Sequence, residues 1–162
     1  MSASKNKSKS GLAGEIGKQN PFELPEQEAF LNIARTYTVL SAQYAKLFKK
    51  HGLSESQFNV LRILRGHATP VSVYQIAKEM ISPHPDMPRL IERMQAVELV
   101  TKQRCENDRR VVWVNLTKQG KSLLKQLDQP LLELHQSQLG HMTAKQLADL
   151  SSLLWMARHP KE

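Results

Sequence analysis

Cysteine is nearly missing from this chain: Cys105 is the only one in 162 residues. That excludes a disulfide framework and any paired-cysteine metal or redox motif. Aromatic residues make up 6%. No apolar run approaches the ~18 residues of a membrane span, and residues 1–20 lack the apolar stretch of a signal peptide. The expectation is a cytoplasmic protein with no membrane partner. Histidines stand scattered at positions 51, 67, 84, 135, 141 and 159, with no HExxH and no metal-ligand spacing. A Gly-rich phosphate loop, a GxSxG elbow and a paired-carboxylate arrangement are all lacking. No enzyme, metal or cofactor is therefore expected. Acidic residues are in deficit, 15 Asp and Glu against 23 Lys and Arg, a net charge of +8. A basic balance favours anionic partners without specifying a fold.

The surplus is uneven. Residues 1–20 carry +3, residues 35–66 carry +5, and residues 81–116 only +1. Residues 1–20 are rich in Ser, Lys, Gly and Asn and read as a disordered basic tail, because they offer little to bury against their ordering entropy. A single domain is expected over 21–162.

Periodicity and capping chemistry divide that domain. Pro25, Glu26 and Glu28 suit a helix start. Apolar residues from Phe30 through Leu47 and Phe48, at three- and four-residue steps, predict a long helix over about 25–50, ended by Gly52. Ser54…Gln57, Ser72…Gln75 and Thr143…Gln146 have the spacing of capping boxes and open three more helices. Asp86 caps a helix with Pro88 in its first turn and Leu90, Ile91, Met94 and Val97 inward. The period then changes to two: 99–104 and 110–116 read as strands around Cys-Glu-Asn-Asp-Arg turn chemistry. Thr117 caps a leucine-rich helix with a kink expected near Pro130.

Short helices followed by a two-stranded ribbon describe a winged helix-turn-helix. The expected fold is mainly α with a small β-hairpin wing. The winged helix-turn-helix spans about 54–116, between N- and C-terminal helices at about 25–50 and 117–158. Such a motif puts its second helix, here 86–97, in the major groove of DNA. Arg89 and Arg93 stand on that helix's outer face, with Glu92 expected to pair with one of them. Asp108-Arg109-Arg110 puts two guanidinium groups at the ribbon tip, and Asp108 can fix one of them. An arginine so placed suits the narrow minor groove. Ser72 and Gln75, near a helix start, are candidate phosphate donors.

The runs Ser72–Met80, Arg89–Val100 and Asp108–Gly120 together resemble the MarR (multiple antibiotic resistance regulator) family. The most specific piece is Asp108-x-Arg110, five residues, then Leu116-Thr117, with Gly120 following. The resemblance covers about residues 25–158. It implies a dimeric, sequence-specific DNA-binding transcription regulator, a repressor released by a small ligand, acting on a palindromic double-stranded operator. It also implies a homodimer joined through the outer helices, with Leu127, Leu131, Leu147, Leu150 and Leu154 as contacts. A small phenolic or lipophilic ligand would sit near Tyr37, Tyr44, Phe58 and His67. Two departures stand out: Glu98 occupies the place of the family's usual glycine, and Pro85 and Pro88 stiffen the start of the reading helix. The alternative is a winged-helix protein-interaction module without specific DNA binding.

Overall fold

The computed structural model describes residues 11–160. The chain divides into two compact units, Met1–Gln43 and Tyr44–Glu162. Of the expected tail, residues 1–10 lie outside the described residues. In the remainder one helical turn forms, α1 (Leu12–Glu15), with Leu12 buried and Glu15 3.7 Å from Arg35.

The long helix α2 (Pro25–Lys50) has Pro25 first, Glu26 and Glu28 in its opening turn and Lys49 and Lys50 in its last. That charge order suits the helix dipole at both ends. Gly52, at φ +69°, turns the chain out of it. Next come α3 (Glu55–Gly66), β1 (Val71–Ser72), α4 (Val73–Glu79) and α5 (Met87–Ala96). After them β2 (Val100–Arg104) and β3 (Val112–Leu116) form the ribbon, and α6 (Lys118–Leu139) and α7 (Ala144–Arg158) complete the chain. Among the described residues no helix is long and apolar enough to cross a membrane.

The capping boxes at Ser54 and Thr143 are made in both directions. At Ser72 only half of the box forms. Its hydroxyl accepts from the Gln75 N–H at 3.1 Å, but the Gln75 amide donates onward to Glu79. Asp86 caps α5 by accepting from the Arg89 N–H at 3.0 Å. His84 accepts from the Asp86 N–H.

The expected hairpin forms from β2 and β3, and it does not stand alone. β1 adds a third strand, giving the antiparallel order β1-β3-β2 with Val71 opposite Val114 and Ser72 opposite Trp113. Val100 faces Leu116 and Lys102 faces Val114 across the other ladder. Two residues cannot display a strand's alternation, so β1 is specified by its pairing with β3.

The core lies under this sheet. Val60, Leu61, Ile76, Leu90, Met94 and Val114 are wholly or almost wholly buried. Leu127 joins them at 0% exposure, and Leu131 packs on the same cluster. Leu127 is therefore covered by its own chain and has no surface for a partner, which corrects its assignment as a dimer contact. In α7 the reverse holds. Leu147, Leu150 and Leu154 are half-buried, no residue of that helix is buried, and Leu153 and Trp155 are 62% and 57% exposed.

Gly120 explains the glycine of the Leu-Thr-x-x-Gly stretch. A Cβ there would run into the carbonyl oxygen of Leu99 and meet Leu116 at 3.2 Å. The start of α6 can thus lie against the α5–β2 junction only without a side chain at 120. At that junction Glu98 takes φ +54°, the one non-glycine residue with positive φ among the described residues. The Leu99 N–H reaches back to Met94 and the Glu98 N–H to Gln95. The closure is the one a glycine would make, performed by a residue for which the left-handed region is unfavourable.

Candidate nucleic-acid interface

The amphipathic pattern of α5 fixes which side chains it offers. Met87, Leu90, Ile91 and Met94 are buried, so Pro88, Arg89, Glu92 and Arg93 face outward. Glu92 does not take either neighbouring arginine as expected. It pairs with Lys102 of β2 at 3.2 Å. Arg89 and Arg93 make no side-chain ion pair among the described residues, so both guanidinium groups stay available to an anion.

At the wing turn, Asp108 orders its surroundings. Its carboxylate accepts from the Arg110 backbone N–H at 3.0 Å, from Nε at 3.1 Å and from Nη2 at 3.2 Å. The Arg110 side-chain bonds, and then its backbone bond, hold the Asp108 carboxyl below its ordinary pKa. The Arg110 side chain is nonetheless 92% exposed. A fork fixed on one edge presents its remaining donors in a restricted pose, which lowers the ordering cost on binding. Arg109 has no ion pair among the described residues. Cys105 opens the same turn, where its N–H donates to Val111. Backbone N–H groups of Asp108 and Asn107, and to a smaller extent the Trp113 side chain, lower its thiol pKa.

Between α5 and the ribbon runs a cleft of about 610 Å³, lined among others by Ser72, Tyr74, Pro88, Lys102, Arg104 and Arg110. Lys102, Arg104 and Tyr74 are residues that sequence reasoning missed. The signal was present in the strand period: Val100, Lys102 and Arg104 share one face of β2. Val100 is buried, and beyond it that face opens into the cleft. Ser72 is on this cleft. Gln75 is not, and its amide is engaged by Glu79.

The four expected ligand liners do not line this cleft. Tyr37 is exposed. Tyr44 hydrogen-bonds His135 at 2.7 Å, and burial raises its pKa. Phe58 stacks on Phe48 with ring centroids 4.4 Å apart. His67 pairs with Glu79 at 2.9 Å, and the Gln75 and His67 bonds lower the Glu79 carboxyl pKa. A second cleft, of about 440 Å³, is lined by His51, Leu53, Val97, Leu99, Leu123 and Gln126 among others; none of the four lines that one either. Among the described residues no group of three or more His, Cys, Asp or Glu side chains is placed to hold a metal ion.

Known proteins share this arrangement. The MarR family model matches residues 51–111, from the end of α2 to the wing tip. HTH-type transcriptional regulator MgrA of Staphylococcus aureus is 34% identical over 82 residues, 51% of this chain and 55% of MgrA. The chain thus spans about half the length of that relative. A mutant MarR from E. coli, solved in complex with operator DNA, shares the fold at TM-score 0.66 and 23% identity, over 80% of this chain and 95% of that one. The MarR transcription factor from Planctomyces limnophilus is 39% identical, with TM-score 0.65, over 84% of this chain and 99% of its own. With that identity running the whole length of a family member, and with a posed wing arginine beside an outward-facing α5, this chain belongs to the MarR family of transcription regulators.

Proposed function

We propose that this protein is a sequence-specific, double-stranded-DNA-binding regulator that acts as a homodimer, with α5 in the major groove and the 108–110 turn in the adjacent minor groove. The observation that carries this is the set of outward guanidinium groups. Arg89 and Arg93 are unspent on internal pairs, Arg109 is free of one, and Arg110 is posed by Asp108. Lys102, Arg104 and Ser72 line the cleft between the two reading elements, where the intervening phosphate strand would run. The operator complex of the E. coli MarR mutant, on the same fold, supports this placement.

Dimerisation is proposed from uncovered apolar surface. Phe30, Ile33 and Tyr37 on α2 are exposed, at 70%, 45% and 61%, and α7 buries none of its residues. Leu147, Leu150 and Leu154 are proposed as contacts, with Leu131 at the edge of the core. Two-fold symmetry then sets two half-sites about 34–36 Å apart on a palindromic operator. The direction of control is proposed to be repression, by occupying the operator in the cytoplasm. Release by a small phenolic or lipophilic ligand is supported by the cleft of about 440 Å³, a volume within the ~300–1,000 Å³ range of small-molecule sites.

Retention of a random duplex, followed from low to high salt, tests the reading together with sedimentation of the free protein. A dimer whose affinity falls steeply with salt is expected. A monomer, or a protein that retains no duplex at low salt, refutes it, the second result favouring a protein-interaction module.

A further inference from the structure

A carboxylate in the middle of a surface that receives a polyanion raises the energy of every complex unless something satisfies it. Glu92 stands in that position. It is outward on α5, three residues after Arg89 and one before Arg93, with its side chain 61% exposed. Its Oε1 accepts from Lys102 Nζ at 3.2 Å, across the cleft from β2. Its Oε2 makes no hydrogen bond among the described residues. The side chain is therefore anchored through one oxygen and offers the other.

Resting on the DNA-binding reading above, we propose that Glu92 is a specificity-determining residue whose free oxygen accepts from the 4-amino group of a cytosine in each half-site. A carboxylate only accepts. In the major groove guanine shows acceptors at N7 and O6, and thymine an acceptor at O4 beside its methyl group, so both repel it. Adenine places the N7 acceptor next to its amino donor. Cytosine alone presents a donor at the groove edge without an acceptor on the same base. The tether to Lys102 fixes the carboxylate before DNA arrives, which limits the side-chain entropy lost in reading the base. It also gives the near-neutral charge of residues 81–116 a role. In a loose, non-specific complex the second oxygen faces phosphates with no base donor to satisfy it, so weak general affinity is exchanged for discrimination between sequences.

The test is selection of duplexes from a random pool by the full chain and by Glu92→Gln and Glu92→Ala, with retention of a random duplex measured at one salt concentration. The wild type is expected to select a cytosine in each half-site, preferred by about tenfold or more. Glu92→Gln should shift that position to adenine, whose N6 and N7 suit an amide. Glu92→Ala should lose the preference there, and both substitutions should hold the random duplex more tightly than the wild type. Lys102→Met, which keeps the carboxylate but frees it, should weaken the cytosine preference and the random-duplex affinity together. A consensus unaltered by both Glu92 substitutions, or a weaker hold on the random duplex, overturns the inference while leaving DNA binding intact. A wild type that retains no duplex overturns the DNA-binding reading itself, and this inference with it.

Discussion

Replacing Gly120 with alanine sets two effects of opposite sign against each other. Helix propensity favours the change: Gly→Ala inside a helix, with a compatible backbone, stabilises by about 0.4–1 kcal/mol. Packing opposes it, because the new methyl would occupy the place of the Leu99 carbonyl oxygen. That oxygen cannot turn aside. It accepts from the Thr117 N–H at 3.2 Å, the Thr117 hydroxyl donates at 2.6 Å to the neighbouring Glu98 carbonyl, and the Leu99 N–H is held by Met94 at 3.0 Å. The backbone of the α5–β2 junction must therefore move as a piece, and overpacking of this kind costs about 1–3 kcal/mol. The net expectation for Gly120→Ala is a loss of about 1–2 kcal/mol. For a chain of this size that is a fall in Tm of several degrees, about 2–4 °C per kcal/mol. Thermal unfolding by circular dichroism at fixed protein concentration measures it. Gly66→Ala is the internal control, since a Cβ there meets nothing within 4 Å, and it should leave Tm unchanged or raise it. A Gly120→Ala protein as stable as the wild type, or more so, refutes the close approach of α6 to Leu99.

Glu98→Gly should act the other way. Relieving a left-handed residue recovers about 1–2 kcal/mol, and the flexibility of glycine in the unfolded chain returns about 0.5–1 of it. A small rise in Tm is expected, and a fall would show that the Glu98 side chain makes a stabilising contact. Cys105 should be alkylated by iodoacetamide with a pH midpoint below that of an ordinary thiol. The Asp108 and Asn107 N–H groups favour its thiolate, so the thiolate fraction at neutral pH is raised. The midpoint should return to the ordinary value in urea, and identical midpoints in the two conditions would refute the cause.

Where a local rule decides the structure, the sequence was sufficient. The caps at Ser54, Asp86, Thr117 and Thr143 lie where their spacing puts them, and the hold of Asp108 on its second neighbour follows from two residues in a turn. The misses are long-range. β1 exists because Val71 finds Val114, 43 positions away. Glu92 prefers a lysine on another element to the two arginines near it on its own, Arg89 a turn before and Arg93 next to it. The leucine stripe of α6 looks uniform in sequence, yet its N-terminal part closes the core at Leu124 and Leu127, while α7 contributes nothing buried. Periodicity tells which face of a helix is apolar, not whether its own chain or a second copy covers that face. The helical turn at Leu12 lay in a stretch whose average composition masked one buried leucine.

The most direct test of the account is the salt dependence of duplex binding by the Arg109→Ala/Arg110→Ala double variant beside the wild type. Each arginine that meets a phosphate contributes about 0.9 to the slope of log K against log salt. Weaker retention of a random duplex and a slope shallower by about two units are expected, with sedimentation and Tm unchanged. A double variant with the wild-type slope and affinity would contradict the account.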